Sequence, residues 1–160
     1  MAQLQEAATD EQILLVVDDR EENRVAMEAL LGDGHWNVRT VDSGEAALRC
    51  MMEEAVGLVL LDVQMPRMDG FEVARLMRGS SRTRYIPIIF LSAIAHTEEA
   101  VLRGYATGAV DFIQKPVETD ILRSKAKVFI DLYRQRMEIL SQRNELEASA
   151  NALRAADRRK

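Results

Sequence analysis

Leu58-Val59-Leu60-Leu61-Asp62 is a run of four apolar residues that ends on a carboxylate, and three other stretches end in polar groups in the same way. Ile13-Leu14-Leu15-Val16-Val17 leads into Asp18 and Asp19, Ile88-Ile89-Phe90-Leu91 leads into Ser92, and Val110-Asp111-Phe112-Ile113-Gln114 leads into Lys115-Pro116. Short, mostly apolar runs bounded by turn residues fit strands of a parallel sheet that is buried on both faces. If the four are neighbours, three carboxylates, a hydroxyl and an ammonium meet at one sheet edge. That set suits a divalent cation and a phosphoryl group.

Segments of helical periodicity separate the runs. Val25, Ala26, Ala29 and Leu30 repeat at helical spacing and stop at Gly32-Asp33-Gly34. Trp36 to Val41 alternates like a half-exposed strand. Asp42 with Glu45 reads as a capping box that opens a helix from Ser43 to about Glu53. A loop with Pro66 and Asp69-Gly70 precedes a helix from Phe71 to Met77, and Thr97 can cap another that reaches about Ala106. This alternation predicts an α/β fold, a doubly wound five-stranded parallel sheet with right-handed crossovers. Ligands of such sheets bind beyond the carboxyl ends of the strands, where Asp18, Asp19, Asp62, Ser92 and Lys115 all fall.

Composition narrows the function. No apolar stretch approaches the roughly 18 residues that span a bilayer, and the N-terminal residues, with Glu6, Asp10 and Glu11, do not read as a secretory signal. Cys50 is the single cysteine, which excludes an internal disulfide and fits a reducing, cytoplasmic setting. Residues 1–117 hold 11 Lys/Arg against 19 Asp/Glu, so nucleic acid is an unfavourable partner for them. His35 and His96 are isolated, and no His/Cys/Asp cluster has transition-metal spacing.

A carboxylate pair at one strand end has a plain structural reading, the capping of the following helix. Asp62 at a second strand end weakens it. Mg²⁺ takes hard oxygen ligands, commonly one or two carboxylates together with phosphate oxygens. A carboxylate is also a competent nucleophile for phosphoryl transfer, and Lys115 and the Ser92 hydroxyl supply a cation and a donor for the transferred group.

Leu60-Leu61-Asp62-Val63-Gln64-Met65-Pro66-Arg67-Met68-Asp69-Gly70, together with Asp18-Asp19, Ser92 and Lys115-Pro116 in this order, resembles the receiver domain of bacterial two-component response regulators over about residues 12–132. The resemblance implies the flavodoxin-like strand order 2-1-3-4-5. It implies that Asp62 accepts a phosphoryl group from a histidine kinase or phosphotransfer protein. Mg²⁺ would be held by Asp19, Asp62 and the main-chain carbonyl of Gln64, with Asp18 on metal-bound water. Lys115 would pair with the acceptor and then with the phosphoryl group, while Ser92 turns toward it and Phe112 acts as the switch aromatic. A cis bond at Lys115-Pro116 is implied as well. The family's modules catalyse only their own phosphorylation and dephosphorylation.

Residues 117–160 contain neither Gly nor Pro. The expected layout is a disordered or extended N-terminus over 1–11, a receiver over 12–132 and a helical extension over 133–160. Leu132, Ile139, Leu146 and Leu153 recur every seven residues, as one core position of a coiled coil would. A second stripe, Ile130-Tyr133-Met137-Leu140-Asn144, competes with that row. The preferred reading is a parallel homodimer through residues 120–157, and the other is a solvated extension. No DNA-binding helix-turn-helix follows the receiver, and the tail reads as a signalling helix cut before an output domain. A magnesium-dependent hydrolase with an aspartyl nucleophile is an alternative, although Arg20 stands where its second acid belongs. A degenerate receiver acting as a scaffold is a third.

Overall fold

The computed structural model describes residues 12–32, 35–93, 98–109 and 111–158. The N-terminal stretch 1–11, Val110, Thr97 and His96 lie outside the described residues. Strands β1 (Ile13–Val17), β2 (Asn37–Val41), β3 (Val56–Asp62), β4 (Ile88–Ser92) and β5 (Asp111–Gln114) form one sheet in the order β2-β1-β3-β4-β5. All four pairings are parallel. Helices α1 (Glu21–Leu31), α2 (Gly44–Glu53), α3 (Gly70–Arg78), α4 (Glu98–Ala106) and α5 (Thr119–Arg158) connect and extend them.

Alternation along the strands builds two cores. Leu14, Val16, Leu58, Leu60, Ile89, Leu91 and Ile113 face one side and meet Met27 and Leu31 of α1 and Leu122, Ala126 and Ile130 of α5. Ile13, Leu15, Val17, Val59, Leu61, Ile88 and Phe90 face the other, against Ala47 and Met51 of α2 and Phe71, Val73, Ala74 and Met77 of α3. The strands β1, β3 and β4 are buried throughout, as their unbroken apolar runs require.

Two local expectations need correction. The buried face of α1 is Met27 and Leu31, one helical turn apart, with Leu30 partly buried against the same core, while Val25 is 57% exposed. The larger side chains fill the space over Leu14 and Leu58, and the small residues Ala26 and Ala29 are left to solvent. The cap of α2 is Ser43 rather than Asp42: its Oγ accepts from the Ala46 N–H at 3.1 Å. Asp42 is exposed.

The end of the sheet opposite the strand carboxyl termini is tied by Arg78. Its guanidinium donates to the main-chain carbonyls of Arg84, Ile86 and Gly108 at 2.7, 2.8 and 2.7 Å. Gly108 has φ +85°, and a Cβ there would lie 2.7 Å from Arg78 Nε, so the turn before β5 needs glycine on both counts. Arg78→Ala is expected to destabilise the fold by about 2–4 kcal/mol, since it leaves carbonyls without their charged donor. A thermal melt should show a midpoint lower by about 10 °C.

Beyond Ile130, α5 leaves the sheet. Tyr133 still packs against the core, and Arg134 Nε donates to Gln12 Oε1 at 3.1 Å. Residues 141–158 are exposed throughout.

Candidate functional site

The four strands that carry the polar termini, β1, β3, β4 and β5, stand side by side. Val17 pairs with Leu61 across β1 and β3, Asp62 with Leu91 across β3 and β4, and Ser92 with Gln114 across β4 and β5. This register places Asp18, Asp62, Ser92 and Lys115 at one edge. Asp18, Asp62 and Ser92 are among the few buried polar residues, at 2%, 7% and 5% exposure, whereas Asp19 is exposed. Carboxylate oxygens of Asp18, Asp19 and Asp62 all lie within 4.8 Å of one another.

Lys115 is the cation of this group. Its Nζ donates to Asp18 Oδ2 at 2.9 Å and stands 3.5 Å from Asp62 Oδ1. Its main-chain N–H donates to the carbonyl of Ser92 at 2.8 Å, and the Lys115–Pro116 peptide is cis. The ammonium is therefore shared, with the shorter contact to Asp18. The sequence alone pointed to Asp62 as its partner.

The loop after β3 folds back on that strand. Gly70 N–H donates to the carbonyl of Val63 at 2.9 Å, and Asp69 caps α3 by accepting from the Glu72 N–H at 2.9 Å. A Cβ on Gly70 would stand 2.4 Å from the Asp62 carbonyl oxygen. This is why Asp69-Gly70 sits where it does: the pair starts a helix and lets its backbone touch β3.

Burial pushes the Asp62 carboxyl up to about 6. Lys115 opposes the shift, Asp18 and Asp19 add to it by repulsion, and the Gln64 main-chain N–H opposes it by donating to the carboxylate. A carboxyl raised from 3.8 in the unfolded chain gives a destabilisation that is absent below pH 4 and fully present above pH 6. Without divalent cation, Asp62→Asn should therefore raise stability at pH 7.5 by on the order of 2 kcal/mol. The gain should shrink to nothing near pH 4, as melts across that range in EDTA would show.

Phe112 is half-buried, with its ring 5.4 Å from that of Phe90, which in turn lies 5.1 Å from Phe71. A Cβ on Gly104 of α4 would be 2.6 Å from Phe112 Cε2, so that glycine shapes the slot beside the ring. Reading the sequence missed this contact, as it missed Asn23 and Arg24, which both reach Asp18. Their spacing of five and six residues from Asp18, one turn into α1, is the signal that was there to use.

The site thus consists of a buried carboxylate at the end of the central parallel strand, with two acidic neighbours and a shared lysine. The profile of the response regulator receiver domain matches residues 14–127. The chain belongs to that family and is a receiver module of phosphorelay signalling. It is 34% identical over 134 residues to a probable cyclic di-GMP phosphodiesterase of Vibrio cholerae, covering 84% of this chain and 30% of that protein. It is 36% identical over 129 residues to the response regulator PleD of Caulobacter vibrioides, covering 77% and 28%. The chain thus spans less than a third of the length of these two relatives. The signal receiver domain of a histidine kinase from Syntrophus aciditrophicus superposes with a TM-score of 0.69 at 30% identity, covering 75% of this chain and 90% of that one. No helix among the described residues is long and apolar enough to cross a membrane.

Proposed function

We propose that Asp62 receives a phosphoryl group from a phosphohistidine on a histidine kinase or phosphotransfer protein, in a magnesium-dependent reaction. The observation that carries this reading is the buried carboxylate of Asp62, placed 3.5 Å from the ammonium of Lys115 at the sheet edge. An Asp62 oxygen attacks phosphorus, the P–N bond breaks, and its electron pair leaves with the imidazole. Lys115 then shifts from Asp18 toward the new phosphoryl charge, and Ser92 offers its hydroxyl to a phosphoryl oxygen.

The donor set fits Mg²⁺. Three carboxylates within 4.8 Å of one another are hard oxygen ligands, and one lysine offsets only part of their charge. Asp18, Asp19, Asp62 and the carbonyl of Gln64 would hold the ion. It would supply neutralisation of the charge on the transferring group.

Phe112 reports the state: as Ser92 moves toward the phosphoryl group, the ring moves deeper into the slot beside Gly104 and changes the β4–β5 edge. Residues 12–132 serve as the receiver and 133–160 as a coiled-coil signalling extension, which couples the module to an output domain or partner. The length of the relatives supports such an output. The chain itself acts as a cytoplasmic signalling module with no further enzymatic turnover and no direct DNA contact.

An aspartyl-nucleophile hydrolase would place its nucleophile at Asp18. That carboxylate already receives three donors, and Arg20 stands at the place of the second acid. Acetyl phosphate with Mg²⁺ separates the readings. A stable acid-labile adduct is expected. Sustained phosphate release without an adduct would favour hydrolysis, and no reaction would favour a scaffold.

A further inference from the structure

Asp18 is held by more donors than a strand-end turn requires. Its Oδ1 accepts from the Arg20 main-chain N–H at 3.0 Å and from Asn23 Nδ2 at 3.3 Å, while its Oδ2 accepts from Lys115 Nζ at 2.9 Å. Arg24 Nη1 reaches the main-chain carbonyl of the same residue at 2.9 Å. At 2% exposure, Asp18 takes its orientation from these protein donors. Asn23 and Arg24 are neighbours in the first turn of α1, both half-buried, and that helix begins without a side-chain cap. Two side chains of the turn are thus turned back onto Asp18, at the end of β1.

The consequence concerns Lys115. One ammonium stands between two carboxylates, 2.9 Å from Asp18 and 3.5 Å from Asp62. If Asp18 kept it entirely, none of its charge would serve a phosphoryl group on Asp62. Donors on the opposite oxygen of Asp18 draw negative charge away from Oδ2 and so weaken its hold on the lysine. They also fix the plane of the carboxylate, which decides where the shared ammonium rests.

We propose that Asn23 and Arg24 are positioning residues of the phosphoacceptor site, acting through Asp18 to keep Lys115 shared with Asp62. The proposal rests on Asp62 being the acceptor. Neither residue touches Asp62, so neither is catalytic. Residues that orient the groups around a metal or charge site commonly change affinity or rate by about 10–100-fold when lost.

The test uses the full chain with Asn23→Ala, Arg24→Ala and Arg24→Lys. Labelling by radioactive acetyl phosphate is followed against donor concentration at saturating MgCl₂. Calorimetric titration with MgCl₂ on the unphosphorylated chain and a thermal melt accompany it. Both alanine variants should lose about tenfold in maximal labelling rate and in magnesium affinity, with the half-saturating acetyl phosphate concentration unchanged. Arg24→Lys should regain most of the loss, because an ammonium still donates to the Asp18 carbonyl. Alanine variants that match the wild type in both rate and magnesium affinity would overturn the assignment. So would a loss that equals the unfolded fraction at the assay temperature. A wild-type chain that takes no label would overturn the acceptor reading and this inference together, whereas normal wild-type labelling with indifferent variants overturns this inference alone.

Discussion

Asp62→Asn is expected to abolish acid-labile labelling of the chain by acetyl phosphate, and Asp42→Asn is expected to leave it unchanged. The expectation follows from geometry more than from acidity. Asp62 is 7% exposed, sits at the end of the sheet's central strand and lies 3.5 Å from Lys115. Asp42 is exposed at the start of α2, where its carboxylate makes no contact with the acidic group. An amide at position 62 preserves shape and burial but has no anionic oxygen to attack phosphorus. Loss of the label should therefore be complete, while the variant stays folded and melts higher without divalent cation. Asp18 and Asp19 are the carboxylates that would betray an error. Label that persists in the Asp62 variant and maps to either would move the acceptor to β1 and revive the hydrolase reading.

The polar edge was legible in the sequence because strand ends in a parallel sheet obey a simple rule. A buried run that stops at Asp, Ser or Lys puts that residue at the sheet rim, and the rims of adjacent strands coincide. What sequence could not give was the division of Lys115 between two carboxylates. That turns on tenths of an ångström around Asp18, whose Oδ1 accepts from the Arg20 N–H and from Asn23 while its Oδ2 accepts from Lys115. The buried face of α1 also escaped, since Val25 and Met27 are both apolar and only the shape of the sheet beneath selects Met27. Likewise Asp42 and Ser43 are both good caps. The backbone angle of Ser43, and not its chemistry, decides which one bonds to α2.

The tail is the second place where a large effect is expected: the full chain should sediment as a dimer at tens of micromolar, and Leu146→Asp should make it a monomer. The helix α5 has 40 residues, a length of about 60 Å, yet its buried residues are Leu122, Ala126 and Ile130. A single helix projecting without cover is marginal in water, so the exposed residues 141–158 gain stability from a packing partner. Two apolar stripes competed for that role in the sequence, and the fold separates them. Tyr133, Met137, Leu140 and Asn144 line a groove with Ser81, Arg82 and Tyr85, and Arg136 lies 4.0 Å from the Tyr85 ring, so this stripe faces the body of its own chain. Leu132, Ile139, Leu146 and Leu153 are instead 53%, 64%, 71% and 71% exposed, increasingly free toward the end of the helix. Their seven-residue repeat supplies one core position of a left-handed pair, and a parallel arrangement would hold both receivers at one end. Gln135, Gln142 and Ser149 at the companion positions make the seam thin. A single aspartate at 146, buried against its symmetry mate, should therefore be enough to open it. Sedimentation of wild type and variant, each with and without the acetyl phosphate adduct, decides the matter. A wild-type chain that is monomeric in both states would reduce α5 beyond Tyr133 to a tether.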